Sequence, residues 1–312
     1  MISASSRVYE LHGLRILSEI LLGDPAANGD GPYDLTVTWR HDDANSQRPE
    51  RRLLAEGAWG PVPRYRHVET ATGFRLEFRD VCQVWVTLDR RAVSVRLARG
   101  VDPGVIPAFL EGNVLALLLL LAGESLLHAS GVSIGGHGVA FIGGSGVGKS
   151  TLAALCCAAG AELLSDDVLR LVPEGQGFRC LSGRGEVRLR PDAAALAALF
   201  RERRCRMTAD GRLALRVRDG PAQPARLAAI VAPVRIAGGP IRIERLQPLD
   251  AWRATLAAPR ILGTRDPALR RTQFEMTSAL AQRVPVFRAE IPAGPPFASS
   301  LGAELLTALG LR

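Results

Sequence analysis

The stretch Gly143-Gly144-Ser145-Gly146-Val147-Gly148-Lys149-Ser150-Thr151 fits the pattern G-x-x-x-x-G-K-[ST]. In that pattern backbone amides cradle phosphate oxygens, and the lysine ammonium reaches the β- and γ-phosphates from inside the loop. The apolar run Gly138 to Ile142 reads as the strand that feeds the loop, and Lys149 to Ala159 as the helix that follows, ended by Gly160. Strand, loop and helix in that order are the context the pattern requires. Lys149 is the single lysine among 39 Lys and Arg residues. A guanidinium is planar, bulkier and differently forked, so it replaces a compact ammonium poorly at this position. Gly143, Gly144, Ser145, Gly146, Val147, Gly148, Lys149, Ser150 and Thr151 are therefore the candidate nucleotide-binding residues. Ser150 stands where a hydroxyl ligates Mg²⁺.

Two further features lie close in sequence. Asp166 stands 17 residues after Lys149, with Asp167 beside it, just past the segment Ala161 to Leu164. A carboxylate at the edge of the strand next to such a loop is well placed to hold Mg²⁺ or its waters. A pair of acids permits two roles, one toward the metal and one accepting a proton from a hydroxyl nucleophile. Their proximity is expected to raise one carboxylate pKa. His128, in Leu126-Leu127-His128-Ala129-Ser130, reads as lying on the first of two strands before the loop. A lone histidine on an apolar strand is commonly a core residue. Beside a phosphate loop it is suited to orient an acid or stabilise developing charge.

Length and composition set the frame. A chain of 312 residues, 47% hydrophobic and 22% charged, has the make-up of a soluble globular protein of one large or two ordinary domains. A net charge of +8 and a pI of about 10.0 favour anionic partners: nucleotide phosphates, an acidic peptide or nucleic acid. The arginines are scattered and aromatics make up 5%, so no stacking platform points to nucleic acid. Five cysteines with no C-x-x-C spacing suggest reduced thiols, no zinc site and a cytoplasmic protein. Met1 to Arg15 carries no signal pattern. The apolar run Val114 to Ala122 reaches back to Val105 but is broken by Pro107, Glu111, Gly112 and Asn113. It reads as a buried helix, too short and interrupted for a membrane span.

The expected fold class is α/β. Residues 1–103 form a smaller β-rich domain, with strand candidates at Arg7–Leu11, Leu14–Leu17, Asp34–Trp39, Phe74–Phe78, Val84–Leu88 and Ala92–Leu97. Asp24 to Pro32 and His41 to Glu50 read as loops. The boundary falls at Val101-Asp102-Pro103-Gly104, and residues 104–312 carry the loop domain. There, strands are expected near Phe178–Arg190, Leu227–Ile236, Pro240–Leu246 and Val284–Ile291. Helices are expected at Asp192–Phe200, Asp250–Ala257, Pro267–Ala281 and Phe297–Leu309, and a hairpin or loop at Arg201–Pro224.

His128, the glycine loop and Asp166-Asp167 together resemble the HPr kinase/phosphorylase family, which is related to the nucleotide site of phosphoenolpyruvate carboxykinases. The resemblance covers Leu126 to Leu171: a histidine 21 residues before the lysine and acids 17 and 18 after it. It implies a kinase core of that type, ATP and Mg²⁺ as cofactors, and a homo-oligomer. It implies Asp166 as the base with His128 as its partner, and Lys149 on the phosphates. Ser150 and Asp167 would hold Mg²⁺. The stretch Gly183 to Arg190 departs from the family's Ile-Arg-Gly-Leu-Gly, so the resemblance does not extend to phosphorylase activity. The β-rich half also departs from the usual regulatory domain. With the segment Gly13 to Glu19, it resembles a divergent branch that includes lasso-peptide precursor kinases. The resemblance thus implies a peptide or small-protein substrate phosphorylated on serine, with no nucleic-acid or membrane partner. Arg188, Arg190, Arg260 and Arg265 are open candidates for balancing the transferred charge. A small-molecule kinase and a non-catalytic nucleotide sensor are the competing readings.

Overall fold

The strand His137–Ile142 alternates two apolar faces: Val139 and Phe141 point one way, Ala140 and Ile142 the other, and all four are buried. Such a strand needs a layer on each side. On one side, Val139 and Phe141 pack with Leu152 and Leu155 of the helix Lys149–Ala158 and with Leu301 and Leu305 of the helix Leu301–Ala308. On the other, Ala140 and Ile142 meet Ala251 of the helix Pro248–Leu256, together with Met276 and Leu280. Each large apolar side chain so buried contributes roughly 1.5–3 kcal/mol. Gly302 lets two helices close: a Cβ there would lie 2.1 Å from the carbonyl oxygen of Leu155.

A computed structural model describes residues 6–23, 25–26, 31–40, 49–58, 63–200, 203–208 and 210–312. Much of the expected loops at 24–32 and 41–50, and parts of 1–15 and 201–224, lie outside the described residues. The fold is mixed α/β with several sheets. The described residues pack as two units, 1–123 with 261–273, and 124–260 with 274–312.

In the second unit His137–Ile142 pairs antiparallel with Ala129–Ile134 and parallel with Ala225–Ile236. The next strand out, Glu162–Ser165, pairs antiparallel with Ala129–Ile134 and delivers Asp166 and Asp167 at its end. Beyond Ala225–Ile236 lie Gly177–Cys180, Leu169–Glu174 and Ser125–Leu127, while Val286–Pro292 pairs alongside it in parallel. A separate small sheet, Glu186–Leu189, Leu213–Arg216 and Cys205–Met207, carries Arg188.

The first unit holds one eight-stranded sheet. Six of its strands match the expected runs. Two, Glu50–Ala58 and Pro63–Thr70, do not alternate in sequence because their pairing shifts register three times. Residues 103–123 pack with this unit, and the division between the two units falls between Gly123 and Glu124. The buried helix expected through this apolar segment is present. Pro103–Leu121 is one helical run of 19 residues, because a π-helical stretch, Leu110–Leu115, absorbs Gly112 and Asn113. By length and composition alone it is long and apolar enough to cross a membrane, and most of it is buried within the unit.

Candidate functional site

Gly143, Gly146 and Gly148 have φ of 130°, 90° and 106°, a region side chains avoid, so glycine is required there. The helix Lys149–Ala158 starts on Gly148 with no side-chain cap. Its first amides and the positive end of its dipole therefore face the loop as an anion-binding surface.

Lys149 is buried, and its Nζ donates to the carbonyls of Gly143 at 2.9 Å and Gly144 at 3.1 Å. Burial lowers its pKa, opposed by the charges of Asp167 and Asp166. Nζ also lies 3.2 Å from His128 Nε2. An ammonium only donates, so Nε2 accepts and the ring proton sits on Nδ1. Nδ1 faces Asp167 alone, 3.1 Å from its carbonyl oxygen and 3.2 Å from Oδ1. His128 is not inside a strand. It stands at the break between Ser125–Leu127 and Ala129–Ile134, with its amide donating to Ala258.

The two acids have different surroundings. Asp166 Oδ1 accepts from Ser130 Oγ at 2.5 Å and Ser150 Oγ at 2.8 Å, while Oδ2 accepts the Arg188 amide at 2.9 Å. Asp167 has φ of 73°, which turns its carboxylate away to Arg260 Nη2 at 3.0 Å and Arg188 Nη2 at 3.7 Å. Burial opposes ionisation of Asp167, but Arg260, the His128 hydrogen bond and Arg188 outweigh it and hold the carboxyl far below its ordinary range. The expected upward shift from acid–acid crowding is thus reversed at Asp167.

The structure brings these residues together and pairs them differently from the sequence expectation. His128 meets Asp167 where Asp166 was expected, and Ser150 meets Asp166 where Asp167 was expected. Ser130, two positions past His128, was missed; it holds Asp166 from the neighbouring strand.

His128, Lys149, Ser150, Asp166 and Asp167 line a cavity of about 220 Å³, together with Arg188, Arg190, Arg212, Arg235 and Arg260. Arg190 Nη2 also donates to Ser145 Oγ at 3.0 Å. Arg212 and Arg235 were not singled out from sequence. Arg265 belongs to the first unit, where its amide donates to Leu54. Among the described residues no trio of His, Cys, Asp or Glu is arranged to hold a metal. Mg²⁺ bound through phosphates and water needs only one or two protein oxygens, and the adjoining Ser150 hydroxyl and Asp166 carboxylate fit that requirement.

Comparison with protein-family models and with curated proteins finds no match. Among solved structures, the chain is similar to the Hpr(Ser) kinase/phosphatase from Coxiella burnetii. The TM-score is 0.32 at 14% identity, over 59% of this chain and 93% of that one.

Proposed function

We propose that the chain is an ATP-dependent, Mg²⁺-requiring kinase that transfers the γ-phosphoryl group to a serine hydroxyl of a peptide or small protein. The observation that carries this reading is the convergence of an uncapped helix N-terminus, Lys149, the Ser150–Asp166 pair and the His128–Asp167 pair on one arginine-lined cavity. The resemblance of Leu126 to Leu171 supports serine as acceptor. The divergent branch supports a precursor peptide, with a C-terminal serine as the favoured target.

In this reading the loop amides and Lys149 bind the phosphates, Lys149 exchanging its carbonyl partners for phosphate oxygens. Ser150 and Asp166 would hold Mg²⁺, which would supply neutralisation of the phosphate charge. Asp167, held ionised and oriented by His128, accepts the hydrogen bond of the serine hydroxyl. The serine oxygen bonds to the γ-phosphorus, the bond from that phosphorus to the bridging oxygen breaks, ADP leaves, and the proton passes to Asp167. A loose transition state asks mainly for positioning and charge balance, so a weakly basic carboxylate suffices. Arg188, Arg190 and Arg260 are the arginines best placed to supply that balance.

The test is transfer from γ-labelled ATP. Lys149→Ala should abolish it. Asp167→Asn should keep nucleotide binding and lose transfer by about 10²-fold or more. Full transfer by Asp167→Asn would remove the base assignment. Label confined to small metabolites would favour a small-molecule kinase, and binding with no transfer a nucleotide sensor.

A further inference from the structure

The eight-stranded sheet turns a polar face away from its core. Thr38, Ser94, Trp85 and Arg75 stand in register across four strands, and Arg96, Gln83, Glu77 and Arg66 form the next row. The apolar residues between them, among them Val84, Leu76 and Val95, are buried on the other side, where Phe78 packs on Phe109 of the helical run. Two hollows open on the polar rows, of about 660 and 390 Å³. Arg40, Arg64, Arg66, Arg75, Arg79 and Arg96 line them, against the acids Glu77 and Asp80. Glu50 partly neutralises Arg66 and Arg75, and Glu77 also contacts Arg75. Arg64 and Arg79 are exposed and form no ion pair among the described residues. The hollows therefore keep a cationic excess.

Trp85 identifies the kind of ligand. Arg40 and Arg96 stand over its ring at 4.4 and 5.4 Å, so a base stacking there would compete with the arginines for the ring. Its indole N–H is buried without an acceptor among the described residues. The surrounding Thr38, Ser94 and Gln83 offer hydrogen bonds suited to a peptide backbone, and the arginines suit carboxylates.

We infer that this sheet face docks an acidic, extended segment of the peptide or protein that the chain phosphorylates. The inference rests on the proposed kinase reading for the identity of the partner, but docking itself is measured without catalysis. The probe is a fluorescein-labelled peptide of about ten residues alternating glutamate and alanine, which offers no hydroxyl to phosphorylate. A lysine–alanine peptide and an oligothymidylate of equal length serve as counterparts. Anisotropy is read on the full chain with saturating Mg·ATP present. The acidic peptide should bind and the lysine peptide should not. R64E/R79E should weaken the acidic peptide by at least about tenfold, with Mg·ATP binding unchanged. R64Q/R79Q, a milder change at the same exposed positions, should fall between. Absence of binding, equal binding by R64E/R79E, displacement of the peptide by Mg·ATP, or tighter binding of the oligothymidylate would each overturn the inference. Failure of Mg·ATP to bind, with the peptide still docking, would instead sink the kinase reading.

Discussion

Asp166 and Asp167 are chemically identical as letters, and their neighbours in the chain do not distinguish them. The positive φ of Asp167 does, by aiming the two carboxylates at different partners. Motif and spacing made the set legible in sequence. Which partner each acid meets was not, because it depends on one backbone angle and on Ser130 and Arg188 arriving from other strands. If Asp166 serves the metal, Asp166→Asn should raise the Mg²⁺ concentration for half-maximal transfer more than Asp167→Asn does. An Mg²⁺ titration of both variants checks this, and the opposite ranking would restore the sequence assignment. A second prediction concerns His67, fully buried beneath Tyr65 and Phe78, with neither ring nitrogen hydrogen-bonded among the described residues. Burial pushes its pKa down from 6.5 to about 3. The unfolded chain then binds more protons between those values, so the stability His67 permits is complete above pH 6.5 and is lost as pH falls toward 3. The full loss is on the order of 5 kcal/mol. Urea midpoints measured against pH should fall more steeply for the native chain than for His67→Leu; equal slopes would contradict it.

Elements were legible where their period was regular. The strands Cys82–Thr87 and Ala92–Leu97 alternate buried and less buried residues, and both were found. Glu50–Ala58 was hidden because its irregular register breaks the period of two. Gly112 and Asn113 interrupt the apolar run without ending the expected helix, because a π-helical stretch accommodates them. Packing between elements gives a direct test at Gly302. Gly302→Ala forces a methyl group against the Leu155 carbonyl and should cost about 1–3 kcal/mol. A lowered thermal midpoint checks it; an unchanged one would mean that the helices separate freely.

At the scale of the whole chain, the +8 charge and the arginine-lined cavity favour anionic ligands, and their binding should weaken as salt rises. A ligand held only by the folded state also stabilises it. At a hundred times its Kd, Mg·ATP should add about 2.7 kcal/mol, seen as a raised thermal midpoint that Lys149→Ala abolishes. The most direct measurement is calorimetric titration of Mg·ATP into the intact chain and into Lys149→Ala. Saturable binding of one nucleotide per chain, weakened at least about tenfold by the substitution, is the predicted result. A native chain that binds no nucleotide, or a variant that binds it equally well, would contradict the account.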